Sequence, residues 1–355
     1  MSNDKSDIQE SQKNLRKRRA SGEFVRGISK FRNKLDEDKR FPAEAGRYHL
    51  FVALNCPWCH RVTMARNMLG LQNSISMDVV FPNRTDNNHP EGANLWEFNP
   101  SKKSSLTGKA LAECTKETAT GKNFSLIKHI YTVEGSNEQS VPILYDKLTK
   151  CIVSNESADI IRMLNDYAGK LGSSLDETIR PQLYPNRKDN SELCDSIDTL
   201  NEQIYININN GAYKAGFSSD QKVYIDAFRN YFDMLDKLNC LLAKSQNPFL
   251  TGNSFTESDL RLFPTIYRHD PIYYLRMKLN GAKILDYPSL WQWLCRVYAL
   301  PGVASSSSLE HCKQGYFGRS WNNTIPQGPF KPMSYPQAYQ HPELVADGLT
   351  SQCPN

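Results

Sequence analysis

The stretch Arg47-Tyr48-His49-Leu50-Phe51-Val52-Ala53-Leu54-Asn55-Cys56-Pro57-Trp58-Cys59-His60 decides how the chain is read. Residues 47–55 form one apolar run, as expected of a strand buried on both faces. Pro57 then opens a helical stretch that stops at Gly70. Proline at the first helical position and glycine just past the last is the expected asymmetry. Cys56 therefore ends a strand and caps a helix. A thiolate there faces the unpaired N–H groups of the first turn and the positive end of the helix dipole. Such placement lowers a cysteine pKa from ~8.5 into the range ~3.5–7.5. Cys59, one turn on, is expected to sit beneath Cys56 and to be less exposed.

Several chemistries use Cys56-x-x-Cys59-His60. It matches the c-type haem attachment pattern, but no export signal precedes it and the strand–turn–helix context belongs to another fold. Zinc needs a second Cys/His pair at ligand spacing, which the sequence lacks, so no metal is expected. A pair of core cysteines is the plainest alternative. A redox or thiol-transfer cysteine on a thioredoxin-like fold is the favoured reading.

Working outward, Ile75–Phe81 reads as a second strand and 82–123 as a long polar excursion, functional or inserted. Phe124–Val133 reads as a helix. Val141–Tyr145 and Cys151–Val153 read as strands joined by a turn. Ser154 or Asn155 is expected to cap a helix whose Ile160, Ile161, Leu164 and Tyr167 share one face. The order is β-α-β-α-β-β-α, with a parallel first pair and a closing hairpin. From about 187 strand patterns disappear. Amphipathic helices run through Leu193–Ile204, Tyr224–Leu242, a capping-box start at Thr256-Glu257-Ser258-Asp259, and Leu290–Tyr298. An α/β domain is thus followed by an all-α domain.

Two further segments carry chemistry. In a thioredoxin-like fold the residue before a cis-proline offers its backbone to a bound thiol peptide, so Val141-Pro142 is expected opposite the Cys56 turn. Glu156 and Ser157 lie at a helix N-terminus, where backbone N–H groups accept a carboxylate. Capping alone explains them equally well. Taken with Cys56, they outline a glutathione site: γ-glutamyl end at Glu156 and Ser157, cysteinyl backbone at Val141, sulfur at Cys56.

Composition narrows the class. The chain has 355 residues, 39% apolar and 23% charged, which supports buried cores rather than wholesale disorder. The net charge is +5, and the first nineteen residues supply +3 of it. A near-neutral body argues against a nucleic-acid groove. No apolar run of ~18 residues predicts a transmembrane span, and no apolar leader predicts secretion. Nine cysteines without such a leader read as reduced thiols in the cytoplasm. Residues 1–21 are expected to be a disordered basic tail, in which Arg16-Lys17-Arg18-Arg19 could serve as a nuclear-import patch. Residues 22–167 are expected to form the thioredoxin-like domain, 168–186 a linker, 187–325 the helical domain and 326–355 an extended Pro-rich tail.

The chain resembles the glutathionyl-hydroquinone reductases, or Xi-class glutathione transferases, relatives of the Omega class. The resemblance rests on Gly22-Glu-Phe-Val-Arg26, Phe31-Arg-Asn33, Gly46-Arg-Tyr-His-Leu50, Cys56-Pro-Trp58, Ser154-Asn-Glu-Ser157, Asn209-Asn-Gly-Ala-Tyr-Lys-Ala-Gly216, Thr256-Glu-Ser-Asp-Leu-Arg261 and Asp270-Pro-Ile-Tyr273. It runs from about 22 to 330. It implies a thioredoxin-like domain followed by an all-helical transferase domain, glutathione as co-substrate and a homodimer. It also implies that Cys56 attacks the sulfur of a glutathionylated hydroquinone, leaving a Cys56–glutathione disulfide that a second glutathione resolves. By the same resemblance Trp96 covers glutathione, Val141, Pro142, Glu156 and Ser157 hold it, and Tyr213 and Tyr316 hydrogen-bond the hydroquinone. A tyrosine offers a phenolic substrate both an aromatic wall and an O–H partner.

Two positions depart from the family pattern. Cys59 replaces an alanine and could resolve the disulfide internally, as an Omega-like or glutaredoxin-like thiol transferase or a dehydroascorbate reductase would. Glu138 replaces an arginine that binds glutathione, so another cation (Arg84, Lys102 or Lys103) is expected to compensate, or affinity falls. Glu138 is also the one residue that favours a non-catalytic interaction module on the same fold.

Overall fold

The computed structural model describes residues 22–98, 113–245, 247–318, 324–326 and 328. The expected basic tail, Lys102, Lys103 and nearly all of the Pro-rich tail lie outside the described residues.

The N-terminal half runs β1 (Tyr48–Val52), α1 (Pro57–Met68), β2 (Ser76–Val79), α2 (Ile127–Val133), β3 (Ile143–Asp146), β4 (Cys151–Ser154) and α3 (Ser157–Asp166). The strands form one sheet in the order β2-β1-β3-β4. β1 is parallel to β2 and antiparallel to β3, and β3–β4 is an antiparallel hairpin. All five residues of β1 are buried, which explains its unbroken apolar sequence.

Element edges differ from the sequence reading, for local reasons. β1 ends at Val52 because the chain turns at once: the Cys56 N–H donates to the Ala53 carbonyl at 2.9 Å. β2 is shorter than expected, and α2 starts at Ile127 rather than Phe124, whose N–H goes to the Glu117 carboxylate at 3.2 Å. The cap of α3 is Glu156, not Ser154 or Asn155. Its carboxylate accepts the Ala158 N–H at 3.1 Å. Ser154 Oγ is taken by the Glu156 N–H at 3.1 Å, and Asn155 Oδ1 by the Phe31 N–H at 3.3 Å. Tyr167 is the C-cap of α3 rather than a helical residue, and it packs against the same core. Within the excursion after β2, Trp96 and Phe98 are core residues, and the Trp96 carbonyl accepts the Ile127 N–H at 3.0 Å.

The C-terminal half contains no strand element among the described residues. Its helices longer than one turn are α4 (Ser191–Gln203), α5 (Gly211–Phe217), α6 (Gln221–Ser245), α7 (Glu257–Arg268), α8 (Pro288–Ala299) and α9 (Leu309–Phe317). The four expected helices are α4, α6, α7 and α8; α5 and α9 are additions. Two π-helical turns, Ile204–Asn209 and His269–Tyr273, follow α4 and α7. The capping box at Thr256 is present: the Asp259 carboxylate accepts the Thr256 N–H at 3.0 Å and the Trp293 indole N–H at 2.7 Å. α7 packs on α1, so both halves share one core. No described helix is long and apolar enough to cross a membrane.

Residues 22–33 span the two halves. The Gly22 carbonyl accepts the Ser219 N–H at 3.2 Å in the helical half. At the other end the Asn33 N–H donates to Val153 at 3.1 Å, and the Asn155 N–H to Phe31 at 3.0 Å. The segment thereby covers the edge of β4.

Candidate active site

Cys56 is the N-cap of α1, in extended conformation, with Pro57 at the first helical position. The Val141–Pro142 peptide bond is cis, and the Val141 carbonyl oxygen lies 3.8 Å from Cys56 Sγ. The structure therefore joins two of the sequence-predicted elements, the cysteine turn and the proline loop, across the end of the sheet.

Cys56 is half-buried and Cys59 fully buried. The Cys59 thiol hydrogen-bonds Cys56, and this contact, with the backbone N–H groups of Cys59 and Trp58, lowers the Cys56 pKa to about 6. Burial, reinforced by the Cys56 charge, pushes Cys59 well above an ordinary thiol. The pair thus divides into a thiolate and a thiol that donates to it.

A buried cation underlies the pair. Arg268 is 0% exposed, at the last position of α7. Its Nη2 donates to the Leu54 carbonyl at 3.1 Å, and its Nη1 to the Pro264 carbonyl at 2.8 Å. Nη1 also lies 2.9 Å from His60 Nδ1. Arginine has no acceptor, so Nδ1 must accept. His60 is then neutral and carries its proton on Nε2, which donates to Ser307 Oγ at 3.0 Å; Ser307 donates onward to Val303 at 2.9 Å. Burial holds His60 far below its ordinary pKa, consistent with this assignment. No carboxylate pairs with Arg268 among the described residues. A buried unpaired ion costs several kcal/mol. The acidic groups that face Arg268 are Cys312 and the hydroxyls of Tyr273, Tyr316 and Tyr213, and its charge also favours the Cys56 thiolate.

Those three tyrosines form a closed triangle. Tyr213 Oη is 2.6 Å from Tyr316 Oη and 3.3 Å from Tyr273 Oη, and the last two are 3.2 Å apart. Burial raises the pKa of all three, so they are phenols, and proton donors, at neutral pH. The π-turns set this geometry: Tyr213 follows the first and Tyr273 closes the second. Gly315 sets Tyr316, because a Cβ at 315 would overlap the Asn55 side chain as α9 crosses the cysteine turn.

Glu156 and Ser157 begin α3, which packs against α1. The Glu156 carboxylate also accepts from Ser29 Oγ at 3.0 Å.

The matches to known proteins follow this layout. Residues 55–166 match the family model "Glutathione S-transferase, N-terminal domain", and 210–296 match "Glutathione S-transferase, C-terminal domain". The chain is 36% identical over 316 residues to glutathionyl-hydroquinone reductase YqjG of Escherichia coli (strain K12), covering 86% of this chain and 88% of that one. The chain belongs to the glutathionyl-hydroquinone reductases, the Xi class of glutathione S-transferases. Among solved structures, the Xi transferase from Phanerochaete chrysosporium superposes with a TM-score of 0.75 at 33% identity, covering 89% of this chain and 96% of that one. The glutathione-bound YqjG structure gives 0.71 at 35%, covering 87% and 94%.

Within this reductase frame the remaining candidates are placed as follows. Trp96 is buried and lies under the Arg84 guanidinium, whose carbon is 4.0 Å from the ring centroid. Glu138 is engaged by the Asn155 amide through Oε2, while Oε1 is buried without a partner. Arg268, Tyr273 and His60 were not candidates from sequence. Tyr273 stood within the quoted Asp270-Pro-Ile-Tyr273 motif, where a proline inside a helical pattern was the available signal. Among the described residues no cluster of His, Cys, Asp or Glu could hold a metal ion.

Proposed function

We propose that this chain reduces glutathionyl-hydroquinones with glutathione, using Cys56 as nucleophile. The observation that carries the reading is the convergence of a thiolate and three phenol protons around one buried cation. Cys56 Sγ⁻ attacks the sulfur of the conjugate and forms an S–S bond. The ring–sulfur bond breaks, its electron pair passes to the ring carbon, and that carbon takes a proton from the Tyr213–Tyr273–Tyr316 cluster. Hydroquinone leaves. A second glutathione, as thiolate, attacks the glutathione sulfur of the mixed disulfide, releasing oxidised glutathione and the Cys56 thiolate. The proton that this glutathione gave up restores the tyrosine cluster, so the cycle balances. Glutathione lies with its cysteinyl backbone on Val141, beside Pro142, its γ-glutamyl end at Glu156 and Ser157, and Trp96 over it. The bound conjugate's hydroquinone hydroxyl meets Tyr213 and Tyr316.

The high pKa of Cys59 favours external resolution over the dithiol, glutaredoxin-like cycle. A homodimer in the cytoplasm belongs to the same proposal and rests on family likeness. The test is mass spectrometry after incubation with a glutathionyl-hydroquinone. A glutathione adduct on Cys56, absent from Cys56→Ala, with hydroquinone and oxidised glutathione released in equal amounts, is expected. A reacting protein with no adduct on Cys56 would overturn the reading.

A further inference from the structure

The conjugate's ring, seated on the tyrosine triangle, meets a second cation that the reaction above does not use. Arg26 lies in the segment bridging the two halves. Its guanidinium carbon is 4.4 Å from the Trp58 ring centroid, 5.0 Å from Tyr213 and 5.8 Å from Phe24. Two of those rings belong to the site: Trp58 is in the cysteine motif and Tyr213 in the triangle. The one hydrogen bond of Arg26 among the described residues runs from Nε to Asn210 Oδ1 at 3.3 Å. Neither Nη group has a hydrogen-bond partner among the described residues.

No carboxylate pairs with Arg26 among the described residues. The nearest acid of its own segment, Glu23, is paired with Lys214 at 2.7 Å. A further cation, Arg61, is also 4.4 Å from that ring; it is bonded to Asn209 and faces the carboxylates of Glu156 and Glu257. Arg26 and Arg61 both lie over the Trp58 ring, and Arg268 lies under the cysteine turn. The Arg26 guanidinium lies against both Trp58 and Tyr213, so a ring bound at the Tyr213 hydroxyl meets a planar two-donor fork beside it. Guanidinium forks match carboxylates in geometry and charge.

We propose that Arg26 selects glutathionyl-hydroquinones that bear a carboxylate on the ring over neutral ones. The inference rests on the reductase reading of this site and deepens it to a substrate class. A cation stacked on aromatic rings can also serve only to hold the bridging segment in place. The two roles differ in substrate dependence: a strap affects all conjugates alike, whereas a carboxylate receptor affects one.

The experiment compares kcat/KM for two conjugates that differ in one ring substituent, methyl against carboxymethyl. The wild type is expected to favour the carboxymethyl conjugate. In Arg26→Gln that preference should fall roughly 10- to 100-fold, the range of a charge-assisted hydrogen-bond pair, and Arg26→Lys should retain part of it. Equal losses on both conjugates, or an unmoved preference, would overturn the proposal. Should Arg26→Gln fail to fold, the wild type still decides: its preference should shrink several-fold between low and high salt, and a flat ratio counts against Arg26. If neither conjugate turns over, the reductase reading has failed. Selection is then read from the affinities of the two conjugates for Cys56→Ala protein, where equal binding overturns it.

Discussion

Arg268 donates to the Leu54 carbonyl two residues ahead of Cys56 and to the His60 ring four residues after it. One buried cation thus grips both sides of the nucleophile turn. The same charge favours the Cys56 thiolate, next to the larger effect of the Cys59 hydrogen bond. Replacing it by an uncharged side chain should release both constraints. In Arg268→Met the midpoint for iodoacetamide labelling of Cys56 should rise above the wild-type value of about 6, by less than it rises when the Cys59 hydrogen bond is lost. Arg268→Lys should rise less. Identical midpoints in all three proteins would mean that the cation serves the domain interface alone.

Cys59 makes a prediction of its own, because its thiol is the leading cause of the low Cys56 pKa. Cys59→Ala should keep activity on glutathionyl-hydroquinones within an order of magnitude at pH 8, whereas Cys56→Ala loses it. The cost should appear at low pH. Without the donor the Cys56 midpoint moves upward, so the activity of Cys59→Ala should fall away at a higher pH than that of the wild type. The sign follows from the thiolate being the nucleophile: wild-type activity is full well above pH 6 and declines as pH drops through it. If Cys59→Ala is as inactive as Cys56→Ala at every pH, the cycle uses two thiols.

Much of this site was legible in the sequence, and what was not has identifiable causes. The strand–Cys56–Pro57–helix junction is legible because it depends on neighbours in the chain: an apolar run, a fixed φ and a glycine at φ +69° closing the helix at Gly70. The cap of α3 was misplaced by one or two residues because Ser154 and Asn155 answer to Glu156 and Phe31, and the Phe31 partner is remote in sequence. Arg268 was not legible at all, and Tyr273 only as one member of the Asp270-Pro-Ile-Tyr273 motif, with no role assigned to it. An arginine in an amphipathic helix pattern reads as surface, and Tyr273 is one of seventeen tyrosines. Only the packing of α7 on α1 and the π-turn after α7 bury the first beneath Cys56 and turn the second toward Tyr316.

The tyrosine triangle predicts a separation between catalysis and stability. Tyr213 and Tyr316 are partly exposed, and their hydroxyls bond to each other and to Tyr273. Tyr213→Phe and Tyr316→Phe should each reduce kcat/KM for glutathionyl-hydroquinones by roughly 10-fold, with little change in Tm. Iodoacetamide labelling of Cys56 in Tyr213→Phe should continue, since the thiolate does not need that proton donor. A large fall in Tm with unchanged kcat/KM would identify these tyrosines as packing residues.

Glu138 and Arg84 should act on glutathione in opposite directions. Glu138 holds a carboxylate at the position where the family pattern has an arginine, and only one of its oxygens is satisfied, by Asn155. Glutathione brings a glycyl carboxylate into the same site. Two carboxylates at close range repel, and the repulsion is felt in binding rather than in the chemical step. Glu138→Gln keeps an oxygen for the Asn155 amide but removes the charge. It should lower KM for glutathione by roughly 2- to 10-fold, with kcat unchanged. Arg84 sits on the face of Trp96, the tryptophan proposed to cover glutathione, and is the compensating cation expected from sequence that falls within the described residues. Arg84→Gln should therefore raise KM for glutathione by a similar factor. Steady-state kinetics in glutathione, at fixed conjugate and at two salt concentrations, measures both effects, and added salt should shrink them. If neither substitution moves KM, the glycyl carboxylate binds elsewhere, and the departure at Glu138 has no bearing on affinity.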